Sequence, residues 1–365
     1  MKLALSGLLL HFYKKYNRRN EMKRLKILKI LAACLILCMC ISLSACGGKN
    51  GYAYVAIDIN PSIELIVKDG KVADVTPLDE EASILLSGES IVGCSVEDAT
   101  EKIVVLAKEL GYLNSENNKV NITVSADSSK LKRNIEASAK KGVEKVGEMA
   151  EAVIEASQDD IDAVEKLKEE NPKLYKNLTP ESYKLISRIK EMDSSITNEA
   201  LAEMSVDELT KKLNDLNKER DALISEETRA EMEERYTKIK EQTKEKVAKL
   251  YEKAKEEGKE LITRLDDMYD EFMENTEDER ELTKEELKKI KDAVGEKFEG
   301  VTVEDFKNFV SEQKTNISEK LVLTEEQKEE LDKIKSEMKD SAKKVKDEIK
   351  EKFEDVKDYF DKLFD

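Results

Sequence analysis

Apolar residues follow two different rhythms along this chain, and the change from one to the other sets its organisation. Runs rich in β-branched and aromatic residues at 52–58, 62–67, 72–77 and 119–125 predict strands. Between the third and fourth runs the pattern predicts a short helix near 79–87 and a longer one from about 96 to 110. In the longer one Val96, Ala99, Ile103, Leu106 and Leu110 recur at spacings of three and four, a stripe able to cover one sheet face. Ser95, with Asp98 three positions on, has the spacing of an N-cap and its acidic partner, and Gly111 supplies a C-terminal stop. Residues 51–127 therefore read as a small α/β unit with one modest core.

From Ser128 the strand rhythm gives way to the helical one. No proline follows Pro180, so long helices are not interrupted. Thr179-Pro180, Ser205 to Glu208, Thr283 to Glu286, Thr302 to Asp305 and Thr324 to Gln327 supply helix-start signals, a capping residue set three before a polar partner. Met232, Tyr236, Ile239, Thr243, Val247, Leu250, Ala254, Leu261, Leu265, Met268 and Phe272 step by four, three and four, with Gly258 filling one stripe position. Leu331, Ile334, Met338, Ala342, Val345, Ile349, Phe353, Val356, Phe360 and Leu363 repeat that pattern. A period of about 3.67 predicts straight or slightly right-handed packing. Such faces require partner helices, so the expected fold class is a small α+β N-terminal domain followed by a long all-α region, 128–365, built as a bundle or a stalk. The end of the last stripe, Tyr359-Phe360 and Leu363-Phe364, has a lipid surface as its alternative cover; the abundance of acidic residues there favours helix packing.

The N-terminal end carries an address. Lys14, Lys15, Arg18, Arg19, Lys23, Arg24, Lys26 and Lys29 precede an almost wholly apolar run, Ile30 to Leu43, which is shorter than the roughly 20 residues a spanning helix needs. That is a signal peptide, 1–45, with Met22 as an alternative start. It ends in Leu43-Ser44-Ala45-Cys46-Gly47-Gly48, which resembles a bacterial lipobox. Cys46 is the expected lipidation site, and residues 46–50 a short lipidated tether. The protein is thereby expected on the outer face of the bacterial cell membrane, held by its acyl chains and not crossing the bilayer.

Charge and composition remove several function classes. The net charge is −17 although the signal segment is basic, so the remainder is more acidic still, which opposes nucleic-acid or anionic-lipid binding. The single histidine, His11, lies in the signal, which excludes histidine-dependent catalysis and histidine metal sites from the mature chain. Of five cysteines, Cys34, Cys38 and Cys40 belong to the signal, Cys46 to the lipid site, and Cys94 is left alone. No intrachain disulfide or thiolate zinc site is expected, nor any metal or cofactor.

The sharpest chemistry lies between the first two strands. Asn60-Pro61 falls at their junction, and an Asn-Pro bond permits one particular reaction: the side-chain amide attacks its own main-chain carbonyl, forms a succinimide and expels the prolyl nitrogen. Ordinary deamidation is closed because proline has no N–H. Cleavage requires a strained turn and donors for the developing oxyanion; Asp58 and Ser62 are near enough in sequence to orient the groups. Asn-Pro is equally a common turn dipeptide, with no chemistry attached.

The pattern Tyr54-Val-Ala-Ile-Asp-Ile-Asn-Pro-Ser-Ile-Glu-Leu65, continued by Asp69-Gly70-Lys71-Val72, Val75-Thr76-Pro77-Leu78, Leu85-Leu86 and Leu110-Gly111-Tyr112-Leu113, resembles the extracytoplasmic middle domain of RsgI-type anti-sigma factors. The likeness covers about residues 51–127. It implies self-cleavage at Asn60-Pro61 with the fragments staying associated, in the service of transmembrane signalling. The chain departs from that family's layout in two ways. The stretch before Cys46 leaves no room for an anti-sigma domain, so direct sigma-factor binding is not expected, and there is no tryptophan to suggest an aromatic-rich carbohydrate-binding module. The expected function is sensing, signalling or interaction at the surface, with an unidentified protein or cell-wall partner and no enzymatic turnover. The alternative is an uncleaved envelope scaffold or spacer.

Overall fold

The computed structural model describes residues 51–115, 117–147, 149–273, 280–295, 298–319, 323–352, 356 and 359–360. The signal segment, the tether with Cys46, and Phe353, Leu363 and Phe364 of the last stripe lie outside the described residues.

Strands β1 (Tyr52–Asp58), β2 (Ser62–Lys68) and β3 (Lys71–Pro77) form an antiparallel meander. Asp69 and Gly70, at φ 53° and 78°, turn β2 into β3 in the left-handed conformation that suits the twist of a tight hairpin. Helices α1 (Glu80–Leu86) and α2 (Val96–Glu109) lead to β4 (Lys119–Ala126), antiparallel to the other side of β1. Helix α3 (Ser129–Glu144) then returns the chain to β5 (Glu151–Ile154), which lies parallel to β4. The sheet order is β3-β2-β1-β4-β5, so β1 is central.

β1 is also covered on both faces. Ala53, Val55 and Ile57 enter one core with Leu65, Ile103 and Ile122. Tyr54 and Ala56 enter a second with Ile66, under α4 (Gln158–Glu170), α5 (Pro180–Met192), α6 (Asn198–Ala202) and α7 (Val206–Asp221). A strand buried on both sides must be apolar at nearly every position, which is why 52–58 reads as a continuous run.

The helical region begins against the same sheet. Helix α8 (Glu226–Met273) has 48 residues and is therefore about 72 Å long. Its start, at Met232 and Tyr236, packs in the first sheet core beside Met338, Ala342, Val345 and Ile349 of α11 (Glu325–Lys352). Its middle, at Val247, Leu250 and Ala254, meets Leu331 and Ile334. Its end, at Leu265 and Phe272, builds a separate core with Ile290 of α9 (Lys284–Val294) and Phe306 and Val310 of α10 (Val303–Glu319). The eleven-residue stripe is thus largely the buried face of α8. Lys240 is a buried addition to that face, only 2% exposed, and its ammonium is held by the Ser87 carbonyl and by Glu89 at 2.6 Å.

Helix starts follow side-chain chemistry. Thr179, Ser205 and Thr283 form reciprocal capping boxes with Ser182, Glu208 and Glu286. Thr302 with Asp305, and Thr324 with Gln327, exchange the same pair of bonds. Each box satisfies two backbone donors that a helix start would otherwise leave open. Among the described residues no helix is long and apolar enough to cross a membrane.

Candidate functional site

The β1–β2 hairpin closes at the Asp58–Ser62 pair and leaves Ile59, Asn60 and Pro61 as its loop. Ile59 is 5% exposed and packs in the first sheet core, Pro61 is buried, and Asn60 between them is exposed. The loop is therefore anchored on both sides of the residue that faces solvent. Ile59 N–H donates to the Pro61 carbonyl at 3.0 Å. Asn60 N–H donates to Asp58 Oδ1 at 3.2 Å, closing an Asx-type turn, and the same oxygen accepts the Ser62 hydroxyl at 3.0 Å.

Asn60 has φ 52°. Asparagine tolerates the left-handed region better than most residues. A residue before proline, however, is pushed towards extended backbone by the prolyl Cδ. Asn60 thus meets two opposed demands, a strain of order 1–3 kcal/mol held in place by the anchored neighbours.

Asp79 secures the C-terminal side of the loop. Its Oδ2 accepts Ser62 N–H at 2.8 Å, and its Oδ1 accepts Ala82 N–H at 2.6 Å as the N-cap of α1. Burial pushes its carboxyl above the usual aspartate range, with the two backbone donors opposing that rise. Asp79→Ala removes both anchors, so thermal unfolding followed by circular dichroism is expected to show a loss of about 1–2 kcal/mol, and the Ser62 amide to exchange hydrogen faster.

The loop opens on a cavity of about 270 Å³ lined by Asn60, Glu81 and Tyr112 and, from α11, by Lys335, Ser336 and Lys339. Lys339 Nζ lies 2.8 Å from Glu81 Oε1. Glu81 Oε2 and the Tyr112 hydroxyl are buried and make no hydrogen bond, and Tyr112 as a whole is 7% exposed. Burial, then the nearby Glu81 and Asp79, push the Tyr112 hydroxyl far above the usual tyrosine range.

On the other side of the sheet a polar network sits inside the second core. Tyr54 O–H donates to Glu64 Oε1 at 2.5 Å, and Arg188 Nε of α5 donates to Glu64 Oε2 at 3.1 Å. Arg188 Nη1 also reaches Glu191 at 3.0 Å. Burial pushes the Glu64 carboxyl up and the Tyr54 hydroxyl well up, and Arg188 opposes both shifts. Tyr54 and Glu64 belong to strands on opposite sides of the Asn60-Pro61 bond.

Of the residues singled out by sequence, Asp58, Asn60, Pro61 and Ser62 come together in this loop, and Cys46 lies outside the described residues. Cys94 is a half-buried free thiol, its Sγ 3.3 Å from the Ser90 carbonyl oxygen. Sequence reasoning missed Asp79, Glu81, Tyr112, Lys339 and Arg188. Tyr112 stands in the quoted family pattern without a role attached to it, and Glu64 carried a signal as an acid within an apolar strand; the partner of Glu64 lies 124 residues away.

Residues 52–188 match the family model described as the anti-sigma factor RsgI-like central domain. The match runs past the strands of the resemblance and ends at Arg188, the partner of Glu64. Anti-sigma-I factor RsgI7 of Acetivibrio thermocellus is similar at 30% identity over 200 residues, 53% of this chain and 35% of that protein. RsgI6 of the same organism is 34% identical over 147 residues, 39% of this chain and 19% of its own length. RsgI9 is 28% identical over 173 residues, 45% of this chain and 24% of its own length. The chain thus spans about a third or less of the length of these relatives.

Proposed function

We propose that this chain, which carries an RsgI-like central domain at residues 52–188, is a lipid-anchored protein of the outer face of a bacterial membrane that cuts itself once, between Asn60 and Pro61, and acts in surface sensing or signalling. The observation that carries this is the hairpin loop: Asn60 at φ 52° directly before a buried proline, with fixed neighbours on both sides. Attack by Asn60 Nδ2 on its own carbonyl carbon breaks the bond to Pro61 and releases the constraint that the prolyl ring places on Asn60. Asp58, through Asn60 N–H and the Ser62 hydroxyl, holds the loop in the strained turn. The reaction consumes its own peptide bond and has no turnover.

Cleavage would not by itself free the body of the protein. The short N-terminal piece, anchored at Cys46, would keep β1 between β2 and β4, with both faces buried. The Tyr54–Glu64 hydrogen bond would span the cut, and Asp207 of α7 would still accept Tyr52 N–H at 2.8 Å. A load or a ligand that displaces β1 would then release the body. The curated relatives are named as anti-sigma-I factors; to this chain we assign an extracytoplasmic signalling role, its partner being a protein or the cell wall.

The test is the denaturing mass of purified residues 47–365. Two masses that meet between Asn60 and Pro61 are expected. A single full-length mass after prolonged incubation would leave the second reading, an uncut envelope spacer, which draws on the 48-residue span of α8.

A further inference from the structure

Resting on that reading, we infer that Glu81 and Tyr112 are catalytic residues for the scission of Asn60-Pro61, and that Lys339 of the C-terminal helix is a positioning residue for Glu81. The reaction needs a proton moved. Asn60 Nδ2 forms a bond to the Asn60 carbonyl carbon and loses one proton; the C–N bond to Pro61 breaks and the prolyl nitrogen gains one. No oxidant, metal or second substrate enters. One carboxylate beside the loop can do both, taking the proton from Nδ2 and handing it to the prolyl nitrogen as the bond opens. A hydrogen-bond donor is also needed for the negative charge that develops on the carbonyl oxygen.

The cavity beside Asn60 supplies this set. Glu81 Oε2 is a buried acceptor without a partner, and the Tyr112 hydroxyl is a buried donor without one. Buried polar atoms are rarely left unbonded, because each costs about 1–3 kcal/mol. Two of them, of opposite hydrogen-bonding sense, in one cavity with a strained asparagine form a set that the fold's own packing does not use. The other oxygen of Glu81 is occupied by Lys339 at 2.8 Å, which ties the carboxylate of α1 to α11. Lys346 makes a parallel contact, 2.8 Å from Glu80. Since α11 lies beyond the matched residues 52–188, this arrangement ties the cleavage rate to the docking of the chain's own C-terminal helix.

The experiment follows the appearance of cut chain over time, by denaturing mass, in full-length mature protein and its Glu81→Gln, Glu81→Ala, Tyr112→Phe and Lys339→Met variants. Thermal melts run alongside confirm that each folds. Glu81→Gln is expected to slow cleavage by about 100-fold, the scale of a lost proton-transfer group, and Tyr112→Phe by about 100-fold as a lost oxyanion donor. Acetate at high concentration is expected to restore part of the rate of Glu81→Ala, and Lys339→Met to fall between wild type and Glu81→Gln. Folded Glu81→Gln and Tyr112→Phe proteins that cleave within twofold of wild type would overturn the inference and leave self-cleavage standing. A slow Glu81→Ala protein that acetate does not quicken would also overturn it, in favour of a packing role. A wild-type chain that never cuts would remove the reaction itself, and with it both the self-cleaving reading and this inference, leaving the uncut spacer.

Discussion

Arg188→Ala is expected to lower the unfolding free energy by about 3–5 kcal/mol, the cost of removing one partner from a buried ion pair. Arg188 is 6% exposed and Glu64 2%, so neither charge has water to fall back on. The guanidinium bonds Glu64 at 3.1 Å and Glu191 at 3.0 Å. Without it Glu64 keeps only the Tyr54 hydroxyl, in a site where burial already pushes its carboxyl up. Urea unfolding is expected to show a lower midpoint with an unchanged slope. The double variant Glu64→Met/Arg188→Leu is expected to lose less than Arg188→Ala alone, because it buries no unpaired charge. A double variant that loses the sum of the two single changes would contradict this account of the pair. The functional consequence follows from position: Arg188 holds β2 through Glu64, and Glu64 holds β1 through Tyr54. Cut chain carrying Arg188→Ala is therefore expected to shed its N-terminal strand at lower denaturant than cut wild type.

Asn60→Gly is expected to abolish cleavage completely while leaving the fold as stable as uncut wild type, or slightly more so. Glycine accepts φ near 52° without penalty, so the loop geometry survives and the strain of order 1 kcal/mol is relieved. The attacking amide is gone, and with it the reaction. This substitution separates chemistry from strain more cleanly than Asn60→Ala, which loses the amide but still places a Cβ in the left-handed region. Kinetics by denaturing mass and stability by urea unfolding read the two effects independently. An Asn60→Gly chain that still breaks at this position would mean that the asparagine amide is not the nucleophile.

Local order was largely legible. The strands expected at 52–58, 62–67, 72–77 and 119–125 form with their ends moved by no more than a residue, and the long α2 begins on its Ser95 cap. Capping residues could be read because they act over three positions, within the reach of sequence. The stripe on α8 told which face is buried but not what covers it. That face turns out to lie partly on the sheet and partly on α11, a distinction that depends on how α11 returns along α8. β5 went unread because four residues, Glu151 exposed and the other three only half-buried, carry little strand signal, and their pairing is made by β4. The candidate site divides in the same way. Asp58, Asn60, Pro61 and Ser62 are neighbours in sequence and share one turn. Glu81, Tyr112 and Lys339 come from α1, the loop after α2, and α11, and nothing local marks them as belonging together.

A fluorophore on the amino terminus of purified residues 47–365, followed by size-exclusion chromatography with and without denaturant, reads both the cut at Asn60-Pro61 and the retention of β1. The label is expected to travel with the body of the protein under native conditions and with a short peptide ending at Asn60 in denaturant, because the cut strand stays at the centre of the sheet until the fold is lost. A label that remains on a full-length chain in denaturant would contradict the cut. One that separates under native conditions would contradict the retention of β1.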